Sequence, residues 1–177
     1  VLNEDVTNLK IHEVFEDMVG KVDVIFGGPP CQGFSQKGKR LSLDDERNYL
    51  FKYFLDVVEF VKPKAFVIEN VPNLLTTSDS YFFNLIKEDC EKMGYTINAK
   101  ILDASDFGVP QQRKRAFIVG IKENQVFDFS KLDYKEPPKL DEIFSDLPSL
   151  EAGEGKDMYD YISPAKTEYQ LYLRKKS

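Results

Sequence analysis

The run Val22-Asp23-Val24-Ile25-Phe26, stopped by Gly27-Gly28-Pro29-Pro30 and followed at once by Cys31, constrains this chain more than any other stretch. β-Branched and aromatic residues in a compact apolar run favour a strand, and two glycines followed by two prolines cannot continue it. Proline fixes φ and removes an amide donor, so the approach to Cys31 is stiff, while Gly33 just beyond permits a sharp loop. A cysteine in such a turn is expected to be displayed. The plain alternative, a small buried cysteine in a tight turn, describes most cysteines better. It describes Cys90, which falls on the apolar stripe of a predicted helix.

The rest of the chain fits around that strand. Ile11, Val14, Phe15 and Met18 predict a short amphipathic helix within Leu9 to Val19, ended by Gly20. Leu50, Phe54, Val58 and Val61 predict a helix from Asn48 to Val61, with Asp44, Asp45 and Glu46 at its positive end and Pro63 closing it. Ala65 to Glu69 reads as a second buried strand, and Phe82, Leu85, Ile86 and Met93 as a helix ended by Gly94. Strand, helix, strand, helix is the pattern of a parallel sheet with covering helices. Tyr95 to Leu102 and Ala116 to Ile121 are two further strands, joined by a loop that holds Gly108, Pro110 and the cluster Arg113-Lys114-Arg115. Beyond Asn124, Pro137, Pro138, Pro148, Gly153 and Gly155 punctuate a polar stretch. The expected division is therefore a core over 1–124 and a linker or irregular segment over 125–177. Ligands of open α/β sheets sit outside the carboxyl ends of the strands. Cys31 and Glu69 would both project from that edge.

Composition removes several function classes. At 177 residues the chain is about one domain, and no apolar run approaches the roughly 18 residues of a membrane span. Two cysteines do not suggest a disulfide framework, so a reducing cytoplasm is expected. Two cysteines and one histidine cannot build a usual zinc site, and no metal is expected. A Cys–His hydrolase would need His12, which falls on the polar side of its short helix. The net charge of −6 argues mildly against nucleic acid, whose backbone is gripped by Lys and Arg. Positive charge is concentrated, however, at Lys37, Lys39 and Arg40, at Arg113 to Arg115, and at Arg174, Lys175 and Lys176. The chain opens on Val1 rather than Met, which leads us to expect upstream sequence.

Three motifs then occur in a telling order: Pro30-Cys31-Gln32-Gly33-Phe34-Ser35, Glu69-Asn70-Val71, and Gln111-Gln112-Arg113-Lys114-Arg115. Together they resemble the nucleophile, acidic and Q-x-R-x-R motifs of DNA cytosine-5 methyltransferases. Phe107-Gly108-Val109-Pro110 resembles that family's lead-in to the arginines. Asn48-Tyr49-Leu50-Phe51 resembles its cofactor-touching helix start, and Asp5 its adenine-contacting acid. The resemblance runs from about Asn3 to Ile121. It implies a Rossmann-like, S-adenosylmethionine-dependent methyltransferase sheet, mostly parallel with a final antiparallel strand and incomplete at both ends. It also implies S-adenosyl-L-methionine as methyl donor, held on its adenine side by Asp5, Pro30 and Leu50, and double-stranded DNA with a flipped cytosine as partner. A restriction–modification role and a cytoplasmic location go with it.

The chemistry accounts for these residue types. Carbon 5 of cytosine is a poor nucleophile toward a sulfonium methyl donor. A thiolate from Cys31 adding to carbon 6 moves electron density to carbon 5. An acid must then hydrogen-bond or protonate ring nitrogen 3, and a protonated Glu69 fits that role. Positive surroundings favour the thiolate, which Arg113 and Arg115 supply. By resemblance, Arg115 also holds the cytosine carbonyl oxygen, and Arg113 the region of the target phosphate and the thiol. The target base must leave the duplex to reach such a site. Gln32, Ser35, Lys37, Lys39 and Arg40, in or beside the polar stretch from Gln36 to Leu43, are the expected DNA contacts.

Two parts of the family pattern are missing. Residues 1–27 hold only Gly20 and Gly27, with no G-x-G loop for the methionine part of the donor and no ribose-binding acid. A target-recognition region, which normally follows in the family, is not expected within residues 1–177. Residues 1–177 alone are therefore expected to be inactive. The alternatives are an RNA cytosine-5 methyltransferase, an amino-methyltransferase, or a catalytically silent DNA-binding module. Cys31, standing where an amino-methyltransferase places a stacking aromatic, argues against the second.

Overall fold

A computed structural model of the chain describes residues 2–30, 49–76 and 79–175. It contains a four-stranded sheet built from β1 (Val24–Gly27), β2 (Ala65–Asn70), β3 (Tyr95–Asp103) and β4 (Lys114–Lys122), in the order β1-β2-β4-β3. β1 and β2 run parallel, with Val24 opposite Ala65 and Gly27 opposite Ile68. β2 and β4 run antiparallel, with Ala65 opposite Ile121 and Asn70 opposite Ala116. The α/β class and the antiparallel strand are thus as expected, and the sheet of the described residues is mixed.

Apolar spacing explains the two main helices. On α2 (Phe51–Val61), Phe51, Leu55, Val58 and Val61 are buried, one face of a 3.6-residue repeat. The helix stops where Lys62 adopts a left-handed conformation, φ 56°, and Pro63 follows. On α4 (Tyr81–Lys92), Phe82, Ile86 and Cys90 form the buried stripe. All of these side chains except Val61 share one core with Phe66 and Ile68 of β2 and Ile118 of β4. A Cβ at Gly27 would lie 2.6 Å from Cε2 of Phe54, so the absence of a side chain there lets α2 close onto the end of β1. Tyr95 donates its hydroxyl to the carbonyl of Pro63 at 2.7 Å, and burial pushes its pKa up to about 12.

Shorter elements depart from the sequence expectation. The helix expected over Leu9 to Val19 is five residues of α1 (Ile11–Phe15) continued by a 3-10 turn, Glu16–Met18. No side chain caps its start at Lys10. A four-residue α3 (Asn73–Thr76) follows β2. Among the described residues no helix is long and apolar enough to cross a membrane.

The chain forms two compact units, and the division differs from 1–124 and 125–177. One unit comprises Val1–Leu102 with Lys114–Leu132, and the other Asp103–Arg113 with Asp133–Ser177. Within the second, the short helices α5 (Leu140–Phe144) and α6 (Glu168–Arg174) punctuate a stretch that is otherwise irregular, as expected. Thr167 caps α6 and donates its hydroxyl to the carbonyl of Glu142 at 2.9 Å. Arg174 pairs with the buried carboxylate of Asp146, donates to the carbonyl of Ser163 at 2.9 Å, and lies 3.7 Å from the ring centre of Tyr161. Helices this short are held by such contacts, not by propensity.

Candidate active site

Alternation along β2 separates two kinds of residue. Phe66, Ile68 and Asn70 are buried, whereas Ala65, Val67 and Glu69 are half-buried on the other side. Glu69 lies opposite Phe117 of β4, so Arg115, two residues from Phe117, is its diagonal neighbour on the same face. Diagonal pairs are within reach of long side chains. Nε of Arg115 donates to Oε1 of Glu69 at 2.9 Å, and Nη1 to the carbonyl of Lys114 at 2.8 Å. The two side chains are 24% and 31% exposed, which leaves the pair open on one side. Arg115 was expected in a loop, and it stands instead at the start of β4.

The end of β1 reaches the same place. A Cβ at Gly28 would stand 3.4 Å from Oε2 of Glu69, so that carboxylate lies against the turn leading to Cys31. Asn70 adds a second tie. Its Nδ2 donates to the carbonyl of Pro29 at 2.8 Å, and its Oδ1 accepts the N–H of Val71 at 2.8 Å. In the sequence, Asn70 stands inside the motif Glu69-Asn70-Val71 with no role of its own expected. The only signal for one was its adjacency to Glu69.

Arg113 belongs to the second unit and is exposed. Its N–H donates to Oδ1 of Asp103 at 2.9 Å, and its carbonyl accepts the N–H of Ala104 at 3.1 Å. Oδ1 of Asp103 also accepts the N–H of Ser105 at 3.2 Å. One carboxylate thereby closes the loop at both ends. The Asp-x-Ser spacing of Asp103-Ala104-Ser105 is the sequence signal for that turn.

Of the residues expected to hold the donor, Asp5 is exposed and caps the short turn Val6–Asn8. Oδ1 of Asp5 accepts from the N–H and hydroxyl of Thr7 at 2.9 and 2.8 Å, and these bonds lower its pKa. Oδ2 takes no part in this cap. Pro30 is exposed after β1, and Leu50 is half-buried at the start of α2. Cys31, Gln32, Ser35, Lys37, Lys39 and Arg40 lie outside the described residues.

Other reactive groups sit elsewhere. Cys90 is fully buried, and burial pushes its thiol up to about 12, so it stays protonated. His12 is exposed and meets the ring of Phe60 edge-on at 4.4 Å. A cavity of about 840 Å³ lies beside it, lined by Leu9, Val19 and Asp56 among others, and its lining includes neither Glu69 nor Arg115.

The family model of the C-5 cytosine-specific DNA methylases matches residues 1–175. The chain is 41% identical over 186 residues to the Type II methyltransferase M.DdeI of Desulfomicrobium norvegicum, covering 100% of this chain and 44% of that protein. It is 41% identical over 157 residues to the Type II methyltransferase M1.HphI of Haemophilus parahaemolyticus, covering 87% and 42%. A crystal structure of a prophage-encoded E. coli protein, described as a DNA modification methyltransferase, aligns with a TM-score of 0.64 at 28% identity. That alignment covers 94% of this chain and 47% of the other. The chain thus spans less than half the length of these relatives.

Proposed function

The chain belongs to the C-5 cytosine-specific DNA methylase family, and from that premise we propose that the protein carrying it transfers a methyl group to carbon 5 of a cytosine flipped out of double-stranded DNA. The observation that carries this reading is the Glu69–Arg115 pair, set against the turn that leads to Cys31. The thiolate of Cys31 forms a bond to carbon 6, and the ring electron pair moves to carbon 5. Glu69, taking up a proton from solvent as the base enters, meets ring nitrogen 3 and supplies that proton as charge arrives there. Arg115 orients Glu69 through Nε and, in this reading, holds the base carbonyl oxygen. After methyl transfer the proton on carbon 5 passes to a water molecule, the carbon–sulfur bond breaks to restore the thiolate, and ring nitrogen 3 returns its proton to Glu69. Arg113 serves the target phosphate and favours the ionised thiol.

S-adenosyl-L-methionine, when bound, supplies the methyl group. Asp5, Pro30 and Leu50 would hold its adenine side, and an exposed carboxylate with Oδ2 outside its cap suits an amino group. Gln32, Ser35, Lys37, Lys39 and Arg40 are the proposed DNA contacts. We further propose a cytoplasmic, restriction–modification setting and no activity for residues 1–177 alone.

Methylation of duplex DNA with a tritiated donor tests the reading. Cys31→Ser should abolish transfer and leave DNA affinity nearly unchanged, because a hydroxyl ionises far less than a thiol of similar size. DNA carrying 5-fluorocytosine at the target should remain covalently attached after denaturation. Transfer by Cys31→Ser near the wild-type rate, or an active enzyme with no adduct, would sink the nucleophile assignment. Residues 1–177 alone should give no product, and neither should RNA.

A further inference from the structure

We infer that Asn70 is a positioning residue for the methyl-transfer chemistry: its carboxamide fastens the stem of the Cys31 turn to the end of the strand that carries Glu69. The inference rests on the reading of Cys31 and Glu69 proposed above.

Asn70 occupies a core-facing position. Its neighbours along that face of β2, Phe66 and Ile68, are fully buried apolar residues, and Asn70 is itself only 6% exposed. A buried amide is costly unless each end is partnered. Here the N–H of Val71 requires an acceptor and the carbonyl of Pro29 a donor, and one orientation of the carboxamide satisfies both. A leucine would fill such a position but leave both of those backbone groups unpaired, so core packing does not explain an asparagine.

The turn explains it. Pro29 and Pro30 have no N–H, so two successive positions offer no backbone donor with which the turn could hold itself. The donor to the Pro29 carbonyl comes instead from a side chain 41 residues away in sequence. That side chain is the next residue after Glu69. One short bond therefore gives the proposed acid and the stem of the proposed nucleophile a common fixed point. Aspartate could accept from Val71 but could not donate to Pro29.

The test uses the full-length enzyme with Asn70→Asp, which keeps size and acceptor and removes the donor. We expect kcat to fall by about 100-fold, the loss typical when reacting groups shift by about 1 Å, with both KM values nearly unchanged. The active fraction is counted by 5-fluorocytosine trapping, so misfolded protein does not enter the rate. A second readout is the rate of Cys31 alkylation by iodoacetamide against pH, with buried Cys90 replaced by alanine in both proteins. The midpoint of that profile should move, whereas a purely structural role would lower the yield of folded enzyme and leave it in place. If Asn70→Asp does not fold, Asn70→Ser takes the same measurements with the same expectation. A wild-type rate per trapped site and an unmoved profile would overturn the inference. Should Cys31→Ser remain active, the functional reading fails. A dead Cys31→Ser beside a fully active Asn70→Asp overturns the Asn70 role alone.

Discussion

The two faces of β2 carry opposite kinds of residue. On the helix-covered face, Phe66 and Ile68 are fully buried among the apolar residues of α2 and α4. On the other, Glu69 is half-exposed and ion-paired with Arg115. A single peptide unit separates the two environments. The pleat lets one strand hold a core on one side and an open charged pair on the other. Phe66 and Ile68 should therefore govern stability, and Glu69 turnover, with Asn70 at the strand's end tying the buried face to the site.

The strongest challenge to that separation is Glu69→Gln in the full-length enzyme. Glutamine keeps the shape but cannot deliver a proton, and general acid–base contributions are about 100- to 10,000-fold. Turnover should fall within that range while the unfolding midpoint in urea stays close to wild type. A loss of only a few-fold would reduce Glu69 to an orienting group. A large loss of stability would mean the faces are not separable.

Phe66→Ala sharpens the contrast from the other side. Removing a fully buried phenylalanine costs about 3–5 kcal/mol, enough to threaten a marginally stable domain. Urea titration should show the loss, and the rate per trapped active site should remain near wild type. If the rate fell as far as the stability, the core would be setting the geometry of Glu69 directly.

The smallest expected effect concerns pH. Burial raises the Cys90 thiol from 9.0 to about 12, with Asp89 and Glu91 adding to it. Below about pH 9 the thiol is protonated in both folded and unfolded chains, and its contribution is fully present. Above that, the unfolded chain releases the proton first, so stability falls as pH rises toward about 12. The slope from this group is at most about 1.4 kcal/mol per pH unit. Tyr95, also raised to about 12, adds to the decline at the upper end. Unfolding midpoints between about pH 8 and about pH 10 should therefore drop less steeply in Cys90→Ala than in wild type. Equal slopes would show that Cys90 is more accessible than its burial implies.

What the sequence made legible follows from range. The stripes of α2 and α4 and the runs of β1 to β4 are local periodicities, and they can be read from the residues alone. The helices α5 and α6, of five and seven residues, are too short for a period to register. A signal for α6 was nevertheless present in Thr167-Glu168-Tyr169-Gln170, a capping box that the structure contains. The motif residues of the candidate site were legible because their residue types and order are those the chemistry requires. The ties among them were not. Arg115 reaches Glu69 only because β4 pairs with β2 in one register, and Asn70 reaches Pro29 across the turn. Register and long-range hydrogen bonds are tertiary facts, and no local pattern encodes them.

The placement of β2 between β1 and β4 also has a kinetic side. Both of its pairings are distant in sequence: Val24 meets Ala65, and Asn70 meets Ala116. Helices α2 and α4 can form from neighbouring residues within microseconds, whereas each strand pairing must first meet the entropy of closing a long loop. Non-local pairings of this kind slow folding. The strand that bears Glu69 is thus the meeting point of two slow closures. The Glu69–Arg115 pair can exist only once β4 has docked, so the charged pair is completed with the sheet and never ahead of it.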